Sequence, residues 1–108
     1  MDVILRLSSV QRQLEVASAV TESAATLAGF KKGQAKRLGR ALASGLRDLA
    51  GQARTSHLPL RLIWSIVGAA VLVDVRWHRS LSLRSEPPAG WNQVRSDPQS
   101  CSWRVHSG

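Results

Sequence analysis

Two consecutive amphipathic patterns constrain the fold of this 108-residue chain more than any other feature. In each pattern, apolar residues recur every three or four positions, as they do along one face of an α-helix. The members of the two patterns are Val10, Leu14, Ala17, Val20, Ala24 and Leu27, and then Ala35, Leu38, Leu42, Gly45, Leu46 and Leu49. The sequence therefore predicts two helices, hinged at Gly29 and Phe30, whose apolar faces need a common surface to pack on.

Polar residues and glycine mark the ends of these predicted elements. Ser8 begins a capping-box pattern, so the first helix is expected to start there and to run to Ala28. Gly29 can take the left-handed conformation that ends a helix, because it has no Cβ. Residues 2–7 predict a short strand before the first helix. Residues 51–59 predict a linker after the second helix.

The most apolar run of the chain, residues 62–73, does not predict a membrane-spanning helix. It is too short to cross ~30 Å of hydrocarbon, and Arg61 and Asp74 bracket it. Its isoleucine and valine residues favour strands over helix. Membrane association through this run is therefore the weakest of the hypotheses that the sequence raises.

The same region predicts a β-hairpin. Residues 63–67 form one predicted strand and 71–77 the other, with a turn at Gly68 and Ala69. The second strand alternates, so Asp74 and Arg76 are expected on one face. The opposite, apolar face is expected to carry Val71, Val73, Val75 and Trp77.

The remaining residues, 78–108, predict an irregular or disordered basic tail. Serine, arginine, proline and glycine dominate there, and Pro87–Pro88 and Asp97–Pro98 interrupt any extended element. We therefore expect an α+β domain over residues 1–77. In it, two helices pack on one face of a small mixed β-sheet formed by the 2–7 strand and the hairpin.

The charge of the chain invites a polyanionic partner. The formal net charge is +8 at pH 7 and the sequence pI is about 11.5. Four cations fall within a narrow sector of the second predicted helix, beside its leucine stripe: Lys32, Lys36, Arg40 and Arg47. Such a row is either an ordinary solvated face or a phosphate-binding ridge of a nucleic-acid-binding module. The alternative explanation of the positive charge is that GC-rich DNA encodes many arginines, in which case the basic surface has no specific binding partner.

Common catalytic and metal-binding motifs are missing from the sequence. It has no phosphate-binding loop of the Gly-x-x-x-x-Gly-Lys-Ser/Thr type and no Gly-x-Ser-x-Gly elbow. His57, His78 and His106 lack carboxylate companions at metal-ligand spacing. Cys101 is the only cysteine, so no internal disulfide can form. A single cysteine and the lack of an apolar leader fit a cytoplasmic protein.

The order of elements resembles a known family. A short strand, a helix, Gly-Phe, a second helix and a hairpin are similar to the N-terminal half of the bacterial anti-sigma serine/threonine kinases of the histidine-kinase-like ATPase superfamily. The matching residues are Leu27-Ala28-Gly29-Phe30, the spacing of the apolar residues within the segment 35–50, and Val73-Asp74-Val75-Arg76. The resemblance implies part of an ATPase sandwich, ATP and Mg²⁺ as ligands, and a sigma factor or anti-sigma antagonist as partner.

The chemistry of that family is only partly retained. Where the family has its base Glu and its Mg²⁺-binding Asn, this chain has Ser44 and Asp48. Asp48 can still coordinate Mg²⁺ as a hard oxygen ligand, whereas a serine hydroxyl cannot act as a base near neutral pH. The family's adenine-binding Asp-x-Gly-x-Gly box is replaced by Trp-His-Arg-Ser-Leu at 77–81. No catalytic residue is therefore expected.

The sequence thus supports two main hypotheses. The first is a catalytically degenerate, ATP-binding regulatory protein, a truncated or frameshifted copy that keeps the ancestral pattern up to residue 76. Its nucleotide site would use Asp48 for the metal, Ser44 beside it, and Arg40 and Arg47 near the phosphates. The second is a small nucleic-acid-binding module that uses the row of four cations.

Overall fold

The described part of the chain forms two helices and one five-stranded antiparallel sheet. The computed structural model describes residues 2–5, 10–53, 60–78 and 81–107. In chain order the elements are β1 (Asp2–Leu5), α1 (Val10–Leu27), α2 (Lys32–Ala53), β2 (Leu60–Val67), β3 (Ala70–Arg76), β4 (Asn92–Asp97) and β5 (Ser100–His106). The strands lie in the order β1-β2-β3-β5-β4. All four strand pairs are antiparallel, so the α+β class is confirmed and the expected mixed sheet is wrong.

The turn between the helices follows from Gly29. Its φ of 102° is left-handed. The N–H of Phe30 donates to the carbonyl of Ala25 at 3.0 Å, and that of Gly29 donates to the carbonyl of Thr26 at 3.1 Å. This pair of bonds is the Schellman motif, which satisfies the last carbonyls of a helix. The predicted helix end and hinge are confirmed.

The two helices approach each other closely at Gly39. A Cβ on this residue would lie 2.6 Å from the backbone oxygen of Ser18 on α1. The apolar face of α1 is also shifted from the predicted one, because Leu27 is 76% exposed. Ala25 and Ala28 are buried instead, since a helix of 3.6 residues per turn rotates the later positions away from the stripe that Leu14 begins.

One face of the sheet, the inner face, packs on the helices. The predicted hairpin is confirmed as β2 and β3, with Gly68 at a φ of 60° in the turn. The buried side chains of the inner face are Leu60, Leu62, Trp64, Val71, Val73, Val75, Cys101, Trp103 and Val105. They form one core with the buried leucines of the helices, Leu14, Leu42, Leu46 and Leu49. This burial holds the helices on one face of the sheet.

A buried hydrogen-bond chain also fixes α1 on the sheet. The indole Nε1–H of Trp64 donates to Thr21 Oγ1 at 2.9 Å. The Thr21 hydroxyl in turn donates to the carbonyl of Ala17 at 2.7 Å. Both polar groups are therefore satisfied inside the core, where an unpaired group would be costly.

The prediction of an irregular tail over 78–108 is wrong for the residues that the structure describes. β4 and β5 form a hairpin, and β5 pairs with the whole length of β3. Trp91 and Trp103 are buried. The turn of this hairpin is held by Trp77, whose backbone N–H donates to Gln99 O and whose indole donates to Pro98 O. These two strands were not predicted because the alternation of buried and exposed residues in β5 is short and every residue of β4 is exposed.

The end of the second helix also differs from the predicted one. The expected linker at 51–59 is wrong for 51–53, because α2 continues to Ala53. Residues 54–59 lie outside the described part, as do Leu7 and Ser8 of the predicted strand and cap. Neither α1 nor α2 is long and apolar enough to cross a lipid bilayer.

Replacing Gly39 by alanine tests the helix contact. We expect the free energy of unfolding to fall by about 1–3 kcal/mol, because the added Cβ meets backbone that cannot rotate away. Gly51→Ala is the matched control on the same helix, since a Cβ there meets nothing within 4 Å. It is expected to raise stability by about 0.5–1 kcal/mol. Equal effects of the two substitutions in urea unfolding would contradict the close approach.

Candidate functional site

The row of four cations predicted from the sequence is a solvent-exposed feature of α2. We call Lys32, Lys36, Arg40 and Arg47 the basic row; all four are exposed. The helix carries five Lys or Arg residues against one carboxylate, Asp48. No member of the row forms an ion pair or a side-chain hydrogen bond with another residue of the described ranges. The burial of the leucines of α2 turns the row toward solvent, where its charge is available to a partner.

Arginines on the other side of the sheet are arranged differently. Asp74 accepts hydrogen bonds from Arg76 Nη2 at 3.0 Å, from Arg95 Nη2 at 3.2 Å and from Ser102 Oγ at 3.2 Å. Arg95 Nε also lies 3.1 Å from Asp97 Oδ2. These two arginines are therefore compensated within the protein, whereas the basic row is not.

A groove between the helices holds three of the four residues that the resemblance implied for a nucleotide site. This interhelical groove has a volume of about 470 Å³ and includes Arg40, Ser44 and Arg47. Glu15 and Glu22 of α1 line it as well. The two carboxylates make the groove mixed in charge and less favourable for a phosphate than the row alone.

The fourth residue, Asp48, lies in a larger cleft beside α2. The cleft has a volume of about 680 Å³ and is lined by Gly45, Arg47, Asp48, Leu49, Gly51, Gln52, Arg84 and Glu86. We call it the strap cleft, because Arg84 and Glu86 come from the strap, residues 81–91, which links β3 to β4. Arg47 lines both the groove and the cleft. The structure thus divides the predicted nucleotide residues between two neighbouring depressions.

The side chain of Gln52 holds the strap against the C-terminal half of α2. Its Nε2 donates to the Arg84 carbonyl at 2.7 Å, and its Oε1 accepts the Arg84 N–H. The buried ring of Pro88 sits against Gly45, where a Cβ would come within 2.8 Å of Pro88 Cγ. These contacts fix the wall of the cleft that carries Arg84 and Glu86. Since they join segments far apart in the chain, sequence patterns could not reveal them.

The strap cleft can offer a metal ion the oxygen atoms of two carboxylate side chains. Among the described residues, no group of three or more His, Cys, Asp or Glu is arranged to hold a metal ion. Asp48 has Glu86 as its carboxylate companion in the cleft. Mg²⁺ is commonly bound by one or two carboxylates together with substrate phosphates. The lining therefore fits a metal that arrives with a phosphorylated ligand better than a metal bound alone.

Cys101 has a structural role in the core. Its side chain is fully buried, and this burial raises the pKa of the thiol from 9.0 to about 12, against the opposing effect of a hydrogen bond with Ser85. A thiol with so high a pKa is a poor nucleophile near neutral pH, because the thiolate is the reactive form. We therefore assign it to packing beside Val75, its register partner on β3.

Comparisons of the chain with protein-family models, with curated proteins and with solved structures find no match. The functional assignment consequently depends on the geometry and charge of the chain itself.

The raised pKa of Cys101 predicts a pH dependence of stability. The folded protein keeps the thiol protonated up to about pH 12, whereas the unfolded chain ionises it above 9.0. The unfolded state therefore binds fewer protons in this window, and the thiol's contribution to stability is lost as the pH rises from 9.0 toward 12. Urea unfolding at increasing pH is expected to show a steeper decline for the wild type than for Cys101→Ala. Parallel declines would mean that the thiol is not buried.

Proposed function

We propose that this protein binds nucleic acid through the basic row of α2. The observation that carries the proposal is the exposure of four cations along one helix, none of which forms an ion pair or a side-chain hydrogen bond with another described residue. The phosphate backbone is a linear array of negative charge, and Lys and Arg that neutralise it release condensed counterions. A rigid helix that presents cations along one side suits such an array, because no loop has to become ordered on binding.

Binding through the row is expected to be independent of base sequence. Specific recognition of single strands uses exposed aromatic rings on which bases stack. In the described ranges the four tryptophans, Trp64, Trp77, Trp91 and Trp103, are buried. The arginines and lysines of the row therefore supply backbone contacts, which position a protein on nucleic acid without reading its sequence.

The salt dependence of binding tests this proposal. Four phosphate contacts predict a slope of log affinity against log salt of about −3.6 on duplex DNA. Lys36→Gln together with Arg40→Gln should make that slope shallower by about 2, since each lost phosphate contact contributes about 1. Titration of a labelled duplex at several salt concentrations, followed by fluorescence anisotropy, gives both slopes.

The matched control removes the same charge elsewhere. Arg12→Gln with Arg84→Gln takes two cations from outside the row and is expected to leave the slope nearly unchanged. If the control lowered the slope as much as the row variant, net charge rather than the row would be responsible. A wild-type protein that does not bind the duplex at low salt would rule the proposal out.

A second candidate function is binding of a phosphorylated small molecule, such as ATP with Mg²⁺, in the strap cleft. The observation that favours it is the gathering of Arg47, Asp48, Arg84 and Glu86 around one cleft. Two guanidinium groups can hold phosphate oxygens, and the two carboxylates can share a metal with them. A regulatory role toward a sigma factor or its antagonist remains a prediction from the family resemblance.

Isothermal titration with Mg²⁺ and ATP tests this candidate. The cleft predicts a saturable heat that requires Mg²⁺ and falls at least roughly tenfold in affinity in Arg84→Gln, because a charged hydrogen bond to phosphate is lost. Asp48→Asn should reduce the dependence on Mg²⁺, whereas Arg40→Gln, outside the cleft, should leave the affinity unchanged. No heat and no thermal shift with the wild type would exclude nucleotide binding.

A further inference from the structure

Two turns meet at one end of the molecule, which we call the turn end. One is the turn between the helices, residues 28–31, and the other is the turn of the β2–β3 hairpin at Gly68 and Ala69. Ser107 holds them together: its backbone N–H donates to the carbonyl of Ala69 at 2.8 Å, and its hydroxyl donates to the carbonyl of Ala28 at 3.4 Å. Residues that are far apart in the sequence therefore lie side by side at this end.

Exposed apolar side chains gather at these two turns. Leu27 is 76% exposed, Val67 70% and Ile66 42%. A surface turn usually contains polar residues such as asparagine, aspartate or serine, whereas residues 66–71 include no polar side chain. Of the described residues, only Val94 on the edge strand β4 is another large apolar residue with an exposed side chain. The large exposed apolar side chains are therefore concentrated at the turn end.

Positive charge lies next to these apolar side chains. The three lysines of the chain are close together: Lys31 belongs to the turn between the helices, Lys32 begins α2, and Lys36 follows one helical turn later. All three are exposed. His106, the register partner of Ala70 beside the hairpin turn, is exposed as well. Cations and apolar groups are therefore presented at the same end of the molecule.

Acidic residues are absent from the segments that build the turn end. In the sequence, no aspartate or glutamate occurs in residues 23–47, 60–73 or 101–107. Glu22 is the one carboxylate beside these segments, since it shares a depression with Leu27 on α1. Asp2 and Asp74 are set back from the hairpin turn, because both pair with Ile63. Three exposed lysines against one nearby carboxylate leave this end positively charged.

We propose that the turn end docks on an anionic lipid bilayer. Leu27, Ile66 and Val67 enter the boundary between headgroups and acyl chains, and the lysines contact the negatively charged headgroups. Binding of this kind grows with the apolar area that is buried and with the attraction of cations to anionic lipids. Only the tip of the hairpin takes part, because the inner-face side chains of β2 and β3 remain in the core. The function that follows is reversible attachment to a membrane surface.

The charge of the turn end favours a bilayer over a second copy of the chain. In a symmetric dimer the same patch meets itself, so the lysines of the two copies would approach and repel each other. A bilayer with anionic lipids attracts the same lysines. Two of them, Lys32 and Lys36, belong to the basic row, whereas the apolar side chains lie outside it. The inference therefore goes beyond the proposed function, and substitutions of the apolar residues distinguish the two.

Co-sedimentation of the full chain with lipid vesicles tests the proposal. We expect binding to phosphatidylcholine vesicles that contain about one third phosphatidylserine, and much weaker binding to phosphatidylcholine alone. Leu27→Gln with Val67→Ser should lower binding at least roughly tenfold, because two apolar side chains no longer enter the bilayer. This double variant should keep its affinity for the labelled duplex within about twofold, since no cation is lost. Val94→Ser is the matched control, because it removes an exposed valine from β4, and it should leave vesicle binding unchanged.

Three results would overturn the proposal. A wild-type protein that does not bind phosphatidylserine vesicles rules out docking on a bilayer and leaves nucleic-acid binding through the row untouched. Equal vesicle binding by the wild type and the double variant means that the lysines alone attract the lipid. A wild type that sediments as a dimer without lipid, while the double variant sediments as a monomer, assigns the turn end to contact between copies. Circular dichroism and tryptophan fluorescence verify that the variants are folded.

Discussion

The pairing of β5 with β3 is the interaction on which the rest of this structure depends. It runs over seven register pairs, from Ala70 with His106 to Arg76 with Ser100. It places Trp103 on the inner face beside Val73 and within reach of α2, where a Cβ on Gly45 would lie 3.6 Å from the indole ring. Without β5 the leucines of α2 would lack much of the apolar surface that they cover. The C-terminal hairpin is therefore part of the core.

This packing also determines what the surface presents. Because Leu42, Leu46 and Leu49 are held against the core, the cations of the same helix are turned to solvent. Because the strap must connect β3 to the far edge of the sheet, it passes beside α2 and forms the second wall of the cleft. The apolar core thus positions both candidate sites.

The features predicted from the sequence are those encoded by neighbouring residues. The helices, the glycine turn between them and the β2–β3 hairpin depend on short-range periodicity and on Gly29 and Gly68, and they were predicted. The C-terminal hairpin was not, because β4 has no buried side chain and β5 reads as a short mixed segment. Leu27 was wrongly predicted to lie on the apolar face of α1, because a face made of residues three or four positions apart rotates gradually around a helix of 3.6 residues per turn.

The two candidate sites also differ in whether residues close together in the sequence encode them. The basic row lies on one helix, so its residues could be found from helical spacing alone. The strap cleft could not be predicted, because Arg84 and Glu86 reach it through the bonds between Gln52 and Arg84, which no local pattern encodes. The family resemblance grouped Ser44 with Asp48, whereas the structure places these two side chains in different depressions.

Amide hydrogen exchange across β5 tests most directly whether the C-terminal hairpin is part of the core. β5 lies between β3 and β4, so its amides that donate to either neighbour should exchange only when the whole domain unfolds, together with those of β2 and β3. Rapid exchange over residues 100–106, at the rate of an unstructured peptide, with β2 and β3 still protected, would contradict the account.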